Sequence, residues 1–95
     1  MYENVLSPIA IGGVEVPNRV VRTAHATGFA AGEMNDRLIA YHEARAKGGV
    51  GLTIVEIMGV HPSSPGSLLA FHPNIVEGHK RLIERLQPYG MKIFQ

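Results

Sequence analysis

The sequence predicts an α/β fold built on a parallel sheet and preceded by a β-hairpin. Three observations predict it. β-Branched runs at residues 19–24, 50–57 and 91–95 alternate with two stretches of helical periodicity. The second run, Val50-Gly51-Leu52-Thr53-Ile54-Val55-Glu56-Ile57, is apolar almost without a break, as expected of a strand buried on both faces. Strands that alternate with helices pair in parallel, because each right-handed crossover lays its helix across one face of the sheet.

The elements follow in order. In residues 9–18, β-branched residues stand on either side of Gly12-Gly13, a pair able to supply positive φ, which predicts a short hairpin. Residues 19–24 form the first strand, which breaks into small and polar residues at His25-Ala26-Thr27-Gly28. From Asn35 to Lys47, Leu38, Ile39, His42 and Ala46 recur every three or four residues, so a helix is predicted there. Asn35 caps it and Gly48-Gly49 stops it.

The second strand, residues 50–57, leads into a polar, Pro-rich loop over residues 58–73, long enough to suggest function. A second helix starts at Asn74, with Glu77 completing a capping box. It turns Ile75, Leu82, Ile83 and Leu86 inward and ends near Pro88-Tyr89-Gly90. Residues 91–95 begin a third strand.

A doubly wound sheet and a barrel both use this element order. The doubly wound sheet would open with a phosphate-binding glycine turn after its first strand, whereas here Thr23-Ala24-His25-Ala26 leads into a long loop. A (β/α)8 barrel is therefore expected, with residues 1–95 supplying the N-terminal hairpin, the first three strands and two helices. A complete barrel needs about 250 residues. The expectation is accordingly an incomplete domain, a fragment with open sheet edges.

Composition narrows the function classes. The chain of 95 residues is 45% hydrophobic and 18% charged, and its 9 Lys+Arg, scattered along the chain, balance 8 Asp+Glu to a net charge of +1. No nucleic-acid or membrane partner is expected. With 0 cysteines, disulfides, thiolate nucleophiles and cysteine-held clusters are excluded within this stretch. The opening Met1-Tyr2-Glu3-Asn4 lacks the basic region and apolar run of a leader, so a cytoplasmic location is expected.

Several catalytic signatures fail on inspection. His42-Glu43-Ala44-Arg45-Ala46 lacks the second histidine of a zinc helix, and Gly49-Val50-Gly51 precedes a strand where a dinucleotide turn would follow one. Neither a phosphate-binding Gly-Lys-Ser/Thr nor a Gly-x-Ser-x-Gly elbow is present. What remains is position. In parallel barrels the chemistry gathers at the C-terminal ends of the strands, here residues 23–27, residues 56–61 and Gln95. Glu56 is expected to make a structural ion pair or backbone bond, and His42, His72 and His79 are expected at the surface of the outer helices.

The motifs Leu6-Ser7-Pro8-Ile9 with Val16-Pro17-Asn18-Arg19-Val20-Val21, then residues 49–56, then Gly90-Met91-Lys92-Ile93-Phe94-Gln95, cover nearly the whole chain in order. Together they resemble the entry hairpin and first three strands of the Old Yellow Enzyme family, in its branch of 2,4-dienoyl-CoA reductases and amine dehydrogenases. The resemblance implies an FMN-dependent oxidoreductase that takes hydride from NADH or NADPH and reduces an activated alkene such as an enoyl substrate. An amine dehydrogenase or demethylase of the same family is the alternative.

The resemblance further implies that Thr23, Ala24 and His25 contact FMN largely through backbone, with Thr23 near the reactive edge. It puts Ile57 where a residue touches the ring through its backbone, and Gln95 where a glutamine bonds the pyrimidine. Ile57 is bulkier than the family's usual residue. Ala26 stands where relatives often carry a cysteine that tunes the flavin or binds it covalently, so non-covalent FMN is implied. The proton donor, the phosphate-binding region and any 4Fe-4S cluster or pyridine-nucleotide domain would lie outside this chain.

Two rivals are weighed against this reading. One is a flavin-free barrel enzyme of aldolase type, for which no lysine or metal constellation is visible. The other is an inactive fragment that associates through its open edges, and a homo-oligomer is also expected of the enzyme itself.

Overall fold

The computed structural model describes residues 2–95, and Met1 of the leader reading lies outside them. A four-residue helix α1 (Glu3–Leu6), which the sequence pattern did not suggest, precedes the hairpin β1 (Ile9–Ile11) and β2 (Val14–Val16). The hairpin pairs antiparallel with Ile11 opposite Val14, and its turn residues Gly12 and Gly13 have φ of 55° and 85°, a conformation that L side chains rarely adopt.

Three strands make the parallel sheet: β3 (Val21–Arg22), β4 (Leu52–Ile54) and, last in the chain, β7 (Lys92–Phe94). Each is shorter than the β-branched run that predicted it. Arg22 pairs with Thr53, and Thr53 with Ile93. The strands lie in chain order without reversal, which is the winding of a barrel.

The Asn18 that follows Pro17 locks β3 to the entry of β4. Its Nδ2 donates to the Gly49 carbonyl at 2.8 Å and its Oδ1 accepts from the Val20 N–H at 3.0 Å. Gly51 is required by this contact, since a Cβ there would lie 2.5 Å from Asn18 Oδ1.

Helix α2 (Asp36–Lys47) begins as predicted, with the Asn35 side chain accepting from the Leu38 N–H at 3.0 Å. Leu38, Ile39, His42 and Ala46 are its buried residues. This corrects the surface expectation for His42: it lies on the same stripe as Leu38 and Ile39, so the periodicity that buries them buries it too. His72 and His79 are half-buried.

Helix α3 (Ile75–Leu86) differs from expectation at two points. Asn74 makes no side-chain cap, because its Nδ2 donates to the Glu33 carboxylate at 3.3 Å while its N–H donates to His72 Nδ1. Ile83 is 54% exposed, and Gly78 fills the inward position against Met34. The helix runs into a 3-10 turn, Gln87–Tyr89, closed by Gly90 at φ 75°.

The stretch expected as an unbroken loop contains two further strands, β5 (Met58–Gly59) and β6 (Leu68–Leu69), paired in parallel. At two residues each, they are too short for alternation to reveal.

Both helices cover the same face of the sheet. Met34, Leu38 and Ile39 from the start of α2 and its lead-in, Leu82 and Leu86 from α3, Val55 after β4 and Met91 before β7 form one core cluster, joined by Leu68. Arg81 and Asp36 form an ion pair between the helices, and Arg85 reaches Glu43 at 3.5 Å. On the opposite face Val21 is 42% exposed. One covered face and one open face are what a barrel wall presents.

Candidate functional site

The C-terminal ends of β3 and β4 meet around one buried cation. Arg22, the last residue of β3, is 8% exposed and faces the helices with its register partners Thr53 and Ile93. Its Nη1 donates to the Ile54 carbonyl and its Nη2 to the His25 carbonyl, each at 2.8 Å. The guanidinium carbon stands 5.2 Å from the Tyr41 ring centroid, and that ring also lies 3.6 Å from the Arg45 guanidinium carbon.

Strand alternation then turns Thr23 toward the open face. Thr23, Ala24, His25 and Ala26 are all exposed and form one short outward-looking segment. The His25 ring folds back from it. Nδ1 donates to the Thr23 carbonyl at 3.1 Å, and Nε2 lies 3.5 Å from the Tyr41 hydroxyl on α2.

A buried anion holds the far end of the segment. Glu56 is 0% exposed; its Oε1 accepts from the Thr27 hydroxyl at 2.9 Å and its Oε2 from the Thr27 N–H at 3.4 Å. Thr27 Oγ1 in turn accepts from the Phe29 N–H at 3.1 Å. Of the two roles expected for Glu56, the backbone bond is present, and among the described residues no ion pair involves it.

The structure does not bring Gln95 to this segment. Gln95 follows Ile93 by two residues and so shares its core-facing side. Its Nε2 donates to the Glu56 carbonyl at 2.9 Å and its Oε1 faces His79 Nε2 on α3 at 3.0 Å. Ile57 follows the buried Glu56 and is 66% exposed, and its carbonyl accepts from the Leu68 N–H at 3.1 Å.

Sequence reasoning passed over Arg22 and Tyr41, and reached Thr27 only as the end of the strand-end stretch 23–27. A charged residue inside a β-branched run is the signal for Arg22, since burial there demands hydrogen-bond partners. No comparable signal marks Thr27, which depends on a carboxylate 29 residues away.

Comparison with known proteins gives a consistent result. A family model described as NADH:flavin oxidoreductase / NADH oxidase family matches residues 4–95. An NADH oxidase from Thermoanaerobacter brockii is 36% identical over 99 residues, a match covering 98% of this chain and 15% of the relative. Among solved structures, a 2-naphthoyl-CoA reductase in complex with 2-naphthoyl-CoA superposes with TM-score 0.82 at 30% identity, over 100% of this chain and 16% of its own. An Old Yellow Enzyme from Pichia sp. AKU4542 superposes with TM-score 0.65 at 27% identity, over 95% and 25%. The chain therefore spans a small part of the length of the proteins it matches.

Proposed function

This chain belongs to the NADH:flavin oxidoreductase / NADH oxidase family, and on that premise we propose that it forms the hairpin and first three barrel strands of the FMN domain of an oxidoreductase. The enzyme draws hydride from NADH or NADPH and reduces an activated alkene such as an enoyl compound. The observation that carries the reading is the exposed segment Thr23-Ala24-His25-Ala26, fixed at both ends and set on the open face at the C-terminal end of the first strand.

The residues present fit FMN. Ala24 and Ala26 are small where a flat ring must approach the backbone. Among the described residues the Thr23 hydroxyl is bonded to no other side chain, so it is free to donate to or accept from the ring. Bound FMN would supply the two-electron acceptor and donor that no side chain here provides.

The chain's own contributions are to bind and orient. Thr23 offers a hydroxyl near the reactive edge, and Ala24 and His25 offer backbone groups. Ile57 closes the side toward the second strand. Ala26 has no thiol, so FMN is held without a covalent bond at this position. Gln95, bonded to Glu56 and His79 as it stands, braces the end of the second strand in place of the pyrimidine contact that the resemblance implies.

Anaerobic mixing of the full-length holoenzyme with NADH or NADPH tests the reaction. The flavin absorption bleaches with one of them and recovers on adding an α,β-unsaturated thioester or carboxylate. Bleaching by a methylated amine, with both nicotinamides inert, would replace alkene reduction by amine oxidation.

A further inference from the structure

The flavin-facing segment is strung between two buried charges of opposite sign that do not pair with each other among the described residues. Arg22 holds a carbonyl, that of His25, at 2.8 Å, and Glu56 holds an N–H and a hydroxyl, those of Thr27. Each charge is matched to the dipole it meets: the cation to a backbone oxygen, the anion to donors. Charge-assisted bonds of this kind are about twice as strong as neutral ones, and the low dielectric of a buried site strengthens them further.

Both residues also reach the second strand. Arg22 Nη1 donates to the Ile54 carbonyl, and Glu56 stands just beyond β4 with its own carbonyl taken by Gln95. The segment is thereby referred to two strands and, through the Tyr41 ring over Arg22, to α2.

We propose that Arg22 and Glu56 are positioning residues for FMN, acting through His25 and Thr27 to hold the backbone of residues 23–26 in the conformation that meets the ring. This inference rests on the FMN reading above. Neither residue needs to touch the cofactor. A segment left to choose among conformations would have to be ordered when FMN binds, and affinity falls by that ordering cost. Hydrogen bonds from the segment to the ring would also change in number and direction, and with them the potential of the bound flavin.

Thr27 offers the cleanest test, because it is only half-buried and Thr27→Val keeps its shape. In the full-length protein, FMN is titrated into apoprotein by fluorescence quenching, and the midpoint potential of the bound flavin and the melting temperature of the apoprotein are measured in parallel. Thr27→Val and Glu56→Gln each weaken FMN binding about tenfold, the worth of a hydrogen bond to a charged group. Their double variant is no weaker than the worse single one, since both break the same contact. Arg22→Met weakens binding comparably, and Arg22→Lys less.

The potential shifts in Thr27→Val and returns in Thr27→Ser, while the Thr27→Val apoprotein stays folded at the assay temperature with a melting temperature lowered by the lost bond to Glu56. Unchanged affinity and potential in folded Thr27→Val, with wild type binding FMN, would overturn the positioning role alone. Wild-type apoprotein that takes up no FMN would overturn the functional reading and the inference with it.

Discussion

Thr53 and His42 meet in the interior with the Thr53 Oγ1 3.2 Å from His42 Nδ1, and both residues are 0% exposed. The pair joins the middle strand β4 to α2. His42 Nε2 has no partner among the described residues.

Burial, then the nearby Arg22 and Arg45 charges, push His42 down from 6.5 to about 4. The unfolded chain therefore binds a proton that the folded chain refuses across this window. Stability is full above about pH 6.5 and is lost progressively as pH falls toward 4. Denaturant midpoints measured from pH 7 to pH 4 should fall more steeply in the wild type than in His42→Leu/Thr53→Val, which removes both the titrating ring and its partner.

Gly78 closes the first turn of α3, where a Cβ would lie 2.6 Å from the Met34 carbonyl oxygen and 2.9 Å from Met34 Cβ. Alanine usually improves a helix by about 1 kcal/mol over glycine. Here overpacking costs about 1–3 kcal/mol, so Gly78→Ala is expected to be neutral to destabilising, never stabilising, by urea unfolding.

Asn35 caps α2 through its Oδ1 and donates from Nδ2 to the Phe29 carbonyl at 2.7 Å. One side chain thus ties the helix start to the end of the segment that follows Thr27. Asn35→Ala should cost about 1–2 kcal/mol in chemical denaturation. Asn35→Asp should retain the cap but lose the Phe29 bond, giving an intermediate value.

Thr23 and Gln95 should separate in their effects on cofactor binding. Thr23→Val removes a hydroxyl on the open face, and FMN affinity should drop by about three- to tenfold. Gln95→Leu removes contacts to Glu56 and His79 on the covered face, so unfolding stability falls by about 1 kcal/mol with FMN affinity little changed. Equal losses of affinity in the two variants would assign Gln95 to the pyrimidine after all.

The order of elements was legible because each rests on a local signal: the Gly12-Gly13 turn, the Leu38-Ile39-His42-Ala46 stripe, the apolar run before Glu56. Contacts across long sequence separations were not. Asn74 resembles a cap in sequence, yet Glu33, 41 residues away, claims its side chain. His42 carries a polar ring that argues for the surface, and the stripe it belongs to overrides that preference. At the candidate site the exposed segment could be placed by strand-end position and family resemblance. Arg22 could not, because its partners are backbone carbonyls that no periodicity reveals, and Glu56 was placed at its strand end without the threonine 29 residues away that it holds.

The most direct test of the account is the visible spectrum of the purified full-length protein, followed by denaturation and filtration. The account predicts a flavin absorption band and release of all the yellow chromophore as free FMN, as required with alanine at position 26. A colourless protein that cannot be reconstituted with FMN would contradict it, and flavin retained on the denatured chain would contradict the non-covalent site.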